Sequence, residues 1–166
     1  MTGIHLEPWG DGDLPLLRRT LGDPEMTKHL GGPESEEKLV ERQRRFERLP
    51  EAGTGRMFKI VDDATGDAVG SVGYWRREWR GEEICETGWM VLPEFQGRGI
   101  AAAATELAIA AARADGGCSW VHAFPSVENE PSNAICRKLG FTLVEEIEFE
   151  YPPGSLMRCN DWRLEL

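Results

Sequence analysis

Apolar positions recur along this chain at two spacings, and each change of spacing marks an element. "GIHLEPW" reads as a first strand, and Leu14 to Leu21 as a short helix closed by turn residues around Asp23-Pro24 and Gly31-Gly32. In "PESEEKLVERQRRFERL" Leu39, Val40, Phe46 and Leu49 mark one side of a helix, and the remaining charges form a solvated face. "RMFKIVDDATGDAVGSVGYWRREW" predicts two antiparallel strands around an Asp-Asp-Ala-Thr-Gly-Asp turn, and "ICETGWMVL" follows as another strand. A helix of almost pure alanine runs from the loop at Gln96 to Ala114. Beyond it come a buried-looking strand, "CSWVHAF", and a short helix, "PSNAICRKL", stopped by Gly140. Two closing strands, "FTLVEEIEFEYP" and "SLMRCNDWRLEL", turn at Pro153-Gly154. Strands at both ends with helices between them predict a mixed α/β domain.

The chain has 166 residues, 40% of them hydrophobic, with six Trp and six Phe, which suits one folded domain spanning residues 1–166. No apolar run approaches the roughly 20 residues needed to span a bilayer. The opening "MTGIHLEPWGDGD" lacks both a basic flank and a long apolar segment, so a soluble cytoplasmic protein without a membrane partner is expected. A net charge of -10 argues against a nucleic-acid partner and slightly favours a cationic ligand. Cys85, Cys118, Cys136 and Cys159 form no C-x-x-C pair and stand at no ligand spacing from His5, His29 or His122, so reduced thiols and no metal are expected.

An alanine helix has little side chain to bury, so its first turn must answer to something else. "QGRGIA", Gln96 to Ala101, lies where a strand hands over to that helix, and its N–H groups point outward at the positive end of the helix dipole. Such a turn is an anion site. Gly97 and Gly99 admit a close ligand, and Arg98 can add a charge-assisted bond. No Lys-Ser or Lys-Thr follows, which removes a Walker A loop. "GRGIAA" satisfies the dinucleotide pattern G-x-G-x-x-A, but "PEFQ" intervenes after the strand and too little chain remains for parallel βαβ units. By itself the string also serves as a tight strand-to-helix turn.

"WMVLPEFQGRGIA" followed by "NEPSNAICRKLGF" resembles the GNAT superfamily of N-acetyltransferases, whose phosphate loop reads Q/R-x-x-G-x-G/A. Gln96, Gly99 and Ala101 fit that form. With N-x-x-S, K-L-G-F and a final "NDW" strand, the chain is most similar to the branch of ribosomal-protein N-terminal acetyltransferases and related small-molecule enzymes. The resemblance implies a mixed, mostly antiparallel twisted sheet with helices on both faces and acetyl-CoA wedged between two splayed strands. It implies direct acetyl transfer to a small-molecule or peptide primary amine in a ternary complex, without metal, and homodimers occur among the relatives.

By the same resemblance, the backbone of Trp89, Met90 and Val91 holds the pantetheine arm. Gln96, Gly97, Arg98, Gly99, Ile100 and Ala101 cradle the pyrophosphate, and Asn129 meets the pantetheine amide. Asn129 also suits a plain helix cap beside Pro131. Glu86 is the first candidate base, with Glu146, Glu148 and Glu150 on one face of a later strand as the second source. The Tyr that many relatives use as general acid is replaced by Cys136, read as a packed thiol, and Ser132 is its stand-in near the sulfur. Trp75, Trp79 and Trp89 offer either an aromatic wall for a cation or sheet anchors. The missing Tyr also admits a noncatalytic acyl-CoA-binding sensor or interaction domain.

Overall fold

The computed structural model describes residues 3–150 and 153–166. In chain order its elements are β1 (Ile4–Pro8), α1 (Leu14–Thr20), α2 (Glu36–Ala52), β2 (Gly55–Asp62), β3 (Ala68–Trp79), β4 (Glu82–Val91), α3 (Ile100–Asp115), β5 (Trp120–Ala123), α4 (Glu130–Lys138), β6 (Thr142–Glu150) and β7 (Leu156–Glu165). The sequence carried the first strand of the final pair on through Tyr151 and Pro152, which lie outside the described residues.

Seven strands form one sheet in the order β1-β2-β3-β4-β5-β7-β6. Every neighbouring pair is antiparallel except β4 and β5. β3 and β4 make the longest hairpin, closed by Arg80 and Gly81, both at positive φ, the conformation that matches the twist of tightly turned strands. The period of two sends Phe58 and Ile60 to one side of β2 and Met57 to the other, and two cores result. α3 and α4 cover one face with Ile100, Ala104, Ala108, Ala112 and Cys136. α1 and α2 cover the other through Leu16, Leu17, Leu39, Phe46 and Leu49.

Local chemistry explains the helix ends. Ser35 caps α2 by accepting from the Lys38 N–H, Glu36 and Glu37 complement the dipole in its first turn, and Gly53 ends it in a left-handed conformation. The alanines of α3 do contribute to burial: Ala104, Ala108 and Ala112 are 0%, 0% and 2% exposed. Small side chains let this helix lie close against β3 and β4, which fixes the height of its N-terminus over the sheet.

One expectation is corrected. Cys85 and Cys118, read as reduced thiols, are joined in a disulfide with Cα atoms 5.9 Å apart. The pairing of Cys85 with Val121 across β4 and β5 brings the start of β5, and Cys118 just before it, beside β4. A separation of 33 residues gave no local sign of that contact. Cys136 and Cys159 are free and buried, as expected.

Candidate active site

β4 and β5 pair only at Cys85–Val121 and Glu86–His122. Beyond Glu86, β4 continues to Val91 along β3, whereas the chain after β5 follows β7, with the Asn160 N–H donating to the Pro125 carbonyl at 2.9 Å. The two strands therefore part, and among the described residues the β4 edge along Trp89, Met90 and Val91 has no strand partner on that side. An exposed ladder edge of this kind can hydrogen-bond an extended, amide-bearing ligand.

The phosphate loop lies at the end of the same strand. A single 3-10 turn, Pro93–Phe95, leads into Gln96, whose side-chain amide donates to the Val91 carbonyl at 2.8 Å. Gln96 thus fastens the loop to β4. Gly97 and Gly99 both sit at φ 78°, which leaves α3 without a side-chain cap. The Ala103 N–H bonds the Gly99 carbonyl at 3.1 Å, and the N–H groups from Gly97 to Ala102 have no acceptor among the described residues. Arg98 stacks on Phe95, with its guanidinium carbon 5.5 Å from the ring centre. It also borders a cavity of about 540 Å³ with Asp62, Asp63 and Ile100.

α4 starts at Glu130, after the segment that leaves β5. Asn129 Oδ1 accepts from the Ser132 N–H at 3.3 Å, so Asn129 is a cap in fact, and its side-chain NH2 donates to no described residue. Ser132 is half-buried, and its hydroxyl has no partner among the described residues. Cys136 is sealed in the core, and burial pushes its thiol up to about 12, which removes it as an acid near neutral pH. The sequence reading passed over Asn133, which organises this region. Its NH2 donates to the carbonyls of Ser126 and Asn129, and its Oδ1 accepts from Asn160 at 2.9 Å and from the Trp162 indole at 2.8 Å.

On the opposite sheet face, Arg77 Nη1 donates to Glu86 Oε1 at 2.5 Å. Burial raises the Glu86 carboxyl above the ordinary range, outweighing the pull of the Arg77 bond and charge and of the nearby Arg45 and His122. The Arg77 guanidinium carbon stands 5.1, 5.0 and 4.9 Å from the ring centres of Trp79, Phe124 and Phe149. These rings also meet one another at 5.1 to 5.5 Å. An aromatic cluster therefore exists, but of the three tryptophans only Trp79 belongs to it, and Trp75 packs against the α1–α2 core. Trp89 pairs with Val72 and packs into the α3 core, because its odd offset from Glu86 sends it to the other face. Glu146, Glu148 and Glu150 are exposed on β6, with Glu146 bonded to Arg158.

His122, by its sequence a strand histidine without an expected role, pairs with Asp161 across the sheet. Their side chains are 7% and 2% exposed, and His122 Nδ1 lies 2.6 Å from Asp161 Oδ1. The Trp79 indole donates to Asp161 Oδ2 at 3.2 Å. A sign was present in the sequence: "WVHAF" and "NDW" each place one ionisable residue inside an apolar strand.

Comparison with known proteins agrees with this geometry. A family description, acetyltransferase (GNAT) domain, matches residues 4–142. No curated protein sequence matches the chain significantly. The fold is shared with a Salmonella typhimurium acetyl transferase that modifies the N-terminal serine of 50S ribosomal subunit protein L7/L12, at 19% identity and TM-score 0.79, over 100% of this chain and 96% of that one. It is shared with yncA from the same organism, solved with its cofactor acetyl-CoA, at 17% identity and TM-score 0.79, over 99% and 95% of the two chains. Spermidine N-acetyltransferase from Vibrio cholerae, solved with CoA and spermine, matches at 17% identity and TM-score 0.75, over 98% and 95%. A family match across most of the sequence, on a fold whose splayed strands meet an uncapped glycine turn, shows that this chain belongs to the GNAT acetyltransferase domain family.

Proposed function

We propose that the whole chain is one N-acetyltransferase domain that moves the acetyl group of acetyl-CoA to a primary amine by direct attack. The observation that carries this reading is the placement of the open β4 edge. It joins the unpaired N–H groups of Gly97 to Ala102 on one side to Glu86 on the other. Those N–H groups fit a pyrophosphate, with Arg98 beside them, and the edge at Trp89, Met90 and Val91 fits the amide-bearing arm. When bound, acetyl-CoA supplies a thioester carbonyl to be attacked. The N–H groups of β4 act by position rather than by side-chain identity.

Glu86 faces the acceptor side and serves as its base. A carboxyl raised by burial is better matched to accepting a proton near neutral pH than an ordinary one. Asn129 offers its free NH2 to the pantetheine amides, and the unpartnered Ser132 hydroxyl supports the departing sulfur. A Cys136 thiol pushed up to about 12 supplies no proton there.

The net charge of -10 supports a cationic small-molecule or peptide amine as acceptor, and no nucleic acid. No helix among the described residues is long and apolar enough to cross a membrane, and cytoplasmic residence is proposed because acetyl-CoA is available there. Homodimerisation is supported at the sheet edge, where β6 exposes Leu143 and Val144 by 48% and 42%. Thiol release from acetyl-CoA, followed across a panel of amines, tests the activity. Dependence on added amine supports it, whereas tight acetyl-CoA binding without turnover of any amine replaces the enzyme with an acyl-CoA sensor.

A further inference from the structure

We propose that His122, oriented by Asp161, is the second station of a proton relay that starts at Glu86. The inference rests on the reading of Glu86 as the carboxylate that meets the acceptor, and it assigns work to a buried hydrogen-bonded pair that reading leaves idle.

The geometry fixes both the direction and the free end of the imidazole. An ionised carboxylate only accepts hydrogen bonds, so Asp161 Oδ1, 2.6 Å from His122 Nδ1, requires the proton on Nδ1. Trp79 occupies the other oxygen, Oδ2, and the stacked Phe124 ring, 5.7 Å away and 19° from parallel, holds the imidazole plane. Nε2, the other ring nitrogen, has no partner among the described residues. Among the described residues no buried side-chain nitrogen or oxygen lacks a partner. The ring faces the space before the Glu86 side of the sheet, on a residue only 5% exposed.

That space is the acceptor side. His122 and Glu86 are register partners on adjacent parallel strands, which puts their side chains on one face with backbones about 4.8 Å apart. The charged groups around the imidazole come from four further elements. They are Glu86 on β4, Arg77 on β3, Asp161 and the register partner Arg163 on β7, and Arg45 of α2, whose charge reaches Glu86. Arg163 leans away, its guanidinium carbon 4.2 Å from the Trp120 ring centre. Burying a histidine and an aspartate in the sheet is a costly way to make a core, and two apolar residues would pack at least as well.

In the reaction the acceptor nitrogen bonds the acetyl carbon, the carbon–sulfur bond breaks, and one N–H proton leaves for Glu86. That proton passes to His122 Nε2, directly or through one water, and then to solvent. Asp161 balances the imidazolium charge while it exists, and the departing sulfur takes a proton from solvent. The relay returns Glu86 to its ionised form for the next turnover.

Two measurements on the full-length protein test the relay. The first needs no acceptor: nitrogen-15 NMR of the wild type should show the Nδ1 proton hydrogen-bonded to Asp161, and a ring protonated on Nε2 alone overturns the proposal. The second compares wild type, His122→Gln, Glu86→Gln and the double variant, with acetyl-CoA and either spermidine or a seryl tetrapeptide. His122→Gln should lower kcat by about 10²-fold, within the range usual for acid–base groups. Both KM values and acetyl-CoA affinity should stay within about twofold, and the double variant should be little worse than Glu86→Gln alone. A His122→Gln enzyme with wild-type kcat and pH profile, or a double loss equal to the product of the single ones, overturns it. If His122→Gln fails to bind acetyl-CoA, Asp161→Asn takes its place, with the same expected loss of kcat and a displaced Nδ1 proton signal. Failure of the wild type to turn over either amine counts against the enzymatic reading, and the tautomer then decides the fate of the dyad alone.

Discussion

Arg77 donates to Glu86 at 2.5 Å while its guanidinium lies against three aromatic rings, so the candidate base is held by a cation that is itself held. The two effects on Glu86 oppose each other. Burial destabilises its charged form and raises its pKa, and Arg77 recovers part of that. Because the folded-state value is raised, the stability Glu86 contributes is complete below the ordinary carboxylate range. It is lost as pH rises through the raised value.

Replacing Arg77 with Met keeps the packing against the rings and removes the charge. The Glu86 pKa should rise further, so the acid limb of kcat/KM, where the base must be ionised, should move to higher pH. A pH–rate series on wild type and R77M checks this, and an unmoved limb would remove Glu86 as the titrating base.

Gly99 sits at φ 78° at the start of α3, where any other residue is strained by about 1–2 kcal/mol and a carboxylate would meet the incoming phosphates. Gly99→Asp should weaken acetyl-CoA binding by at least about tenfold, given the repulsion of like charges and the loss of close approach. Circular dichroism should remain that of the wild type. Unchanged affinity by calorimetry would mean that the turn is no cradle.

Asn133 is 2% exposed and satisfies four polar groups on three segments of chain. Asn133→Ala leaves buried partners unpaired and should destabilise the domain by about 2–4 kcal/mol. For a domain of this size the melting temperature should fall by about 2–4 °C for each kcal/mol. Since the same bonds set the start of α4, acetyl-CoA affinity should fall with it. Thermal unfolding followed by calorimetry measures both.

The Cys85–Cys118 bond closes a loop of 33 residues, for which the loss of unfolded-state freedom is worth about 2–4 kcal/mol. Reducing it should lower the urea midpoint of the wild type, and Cys85→Ser should show the lower midpoint with or without reductant. Equal midpoints for wild type in both conditions would show that the bond contributes no stability.

Much of this architecture was legible in the chain because its cues are local. Periodicity located the helices and strands, and Gly97, Gly99 and Pro131 marked the turns at which α3 and α4 begin. The pair "QGRGIA" and "NEPSNAICRKLGF" then gave the family. What stayed hidden depends on register. Trp89 joins the α3 core rather than the wall at Glu86, because one residue of offset along β4 exchanges the faces. Phe124 and Phe149, 25 positions apart, become neighbours only through the order β5-β7-β6. His122 meets Asp161, and Asn133 meets Trp162, through the same strand order. A single buried ionisable residue in an apolar strand signals that a partner exists without saying where. The helix rich in alanine held a further lesson, since small side chains can be selected for close approach as well as for loop placement.

The proposed seat for acetyl-CoA is the open β4 edge together with the glycine turn. Calorimetric titration of acetyl-CoA into the protein, beside NAD and followed by thiol release on adding spermidine or a seryl peptide, tests it most directly. The account predicts micromolar binding of acetyl-CoA, none of NAD, and thiol release that requires the amine. Absence of acetyl-CoA binding, with the protein folded, would contradict it.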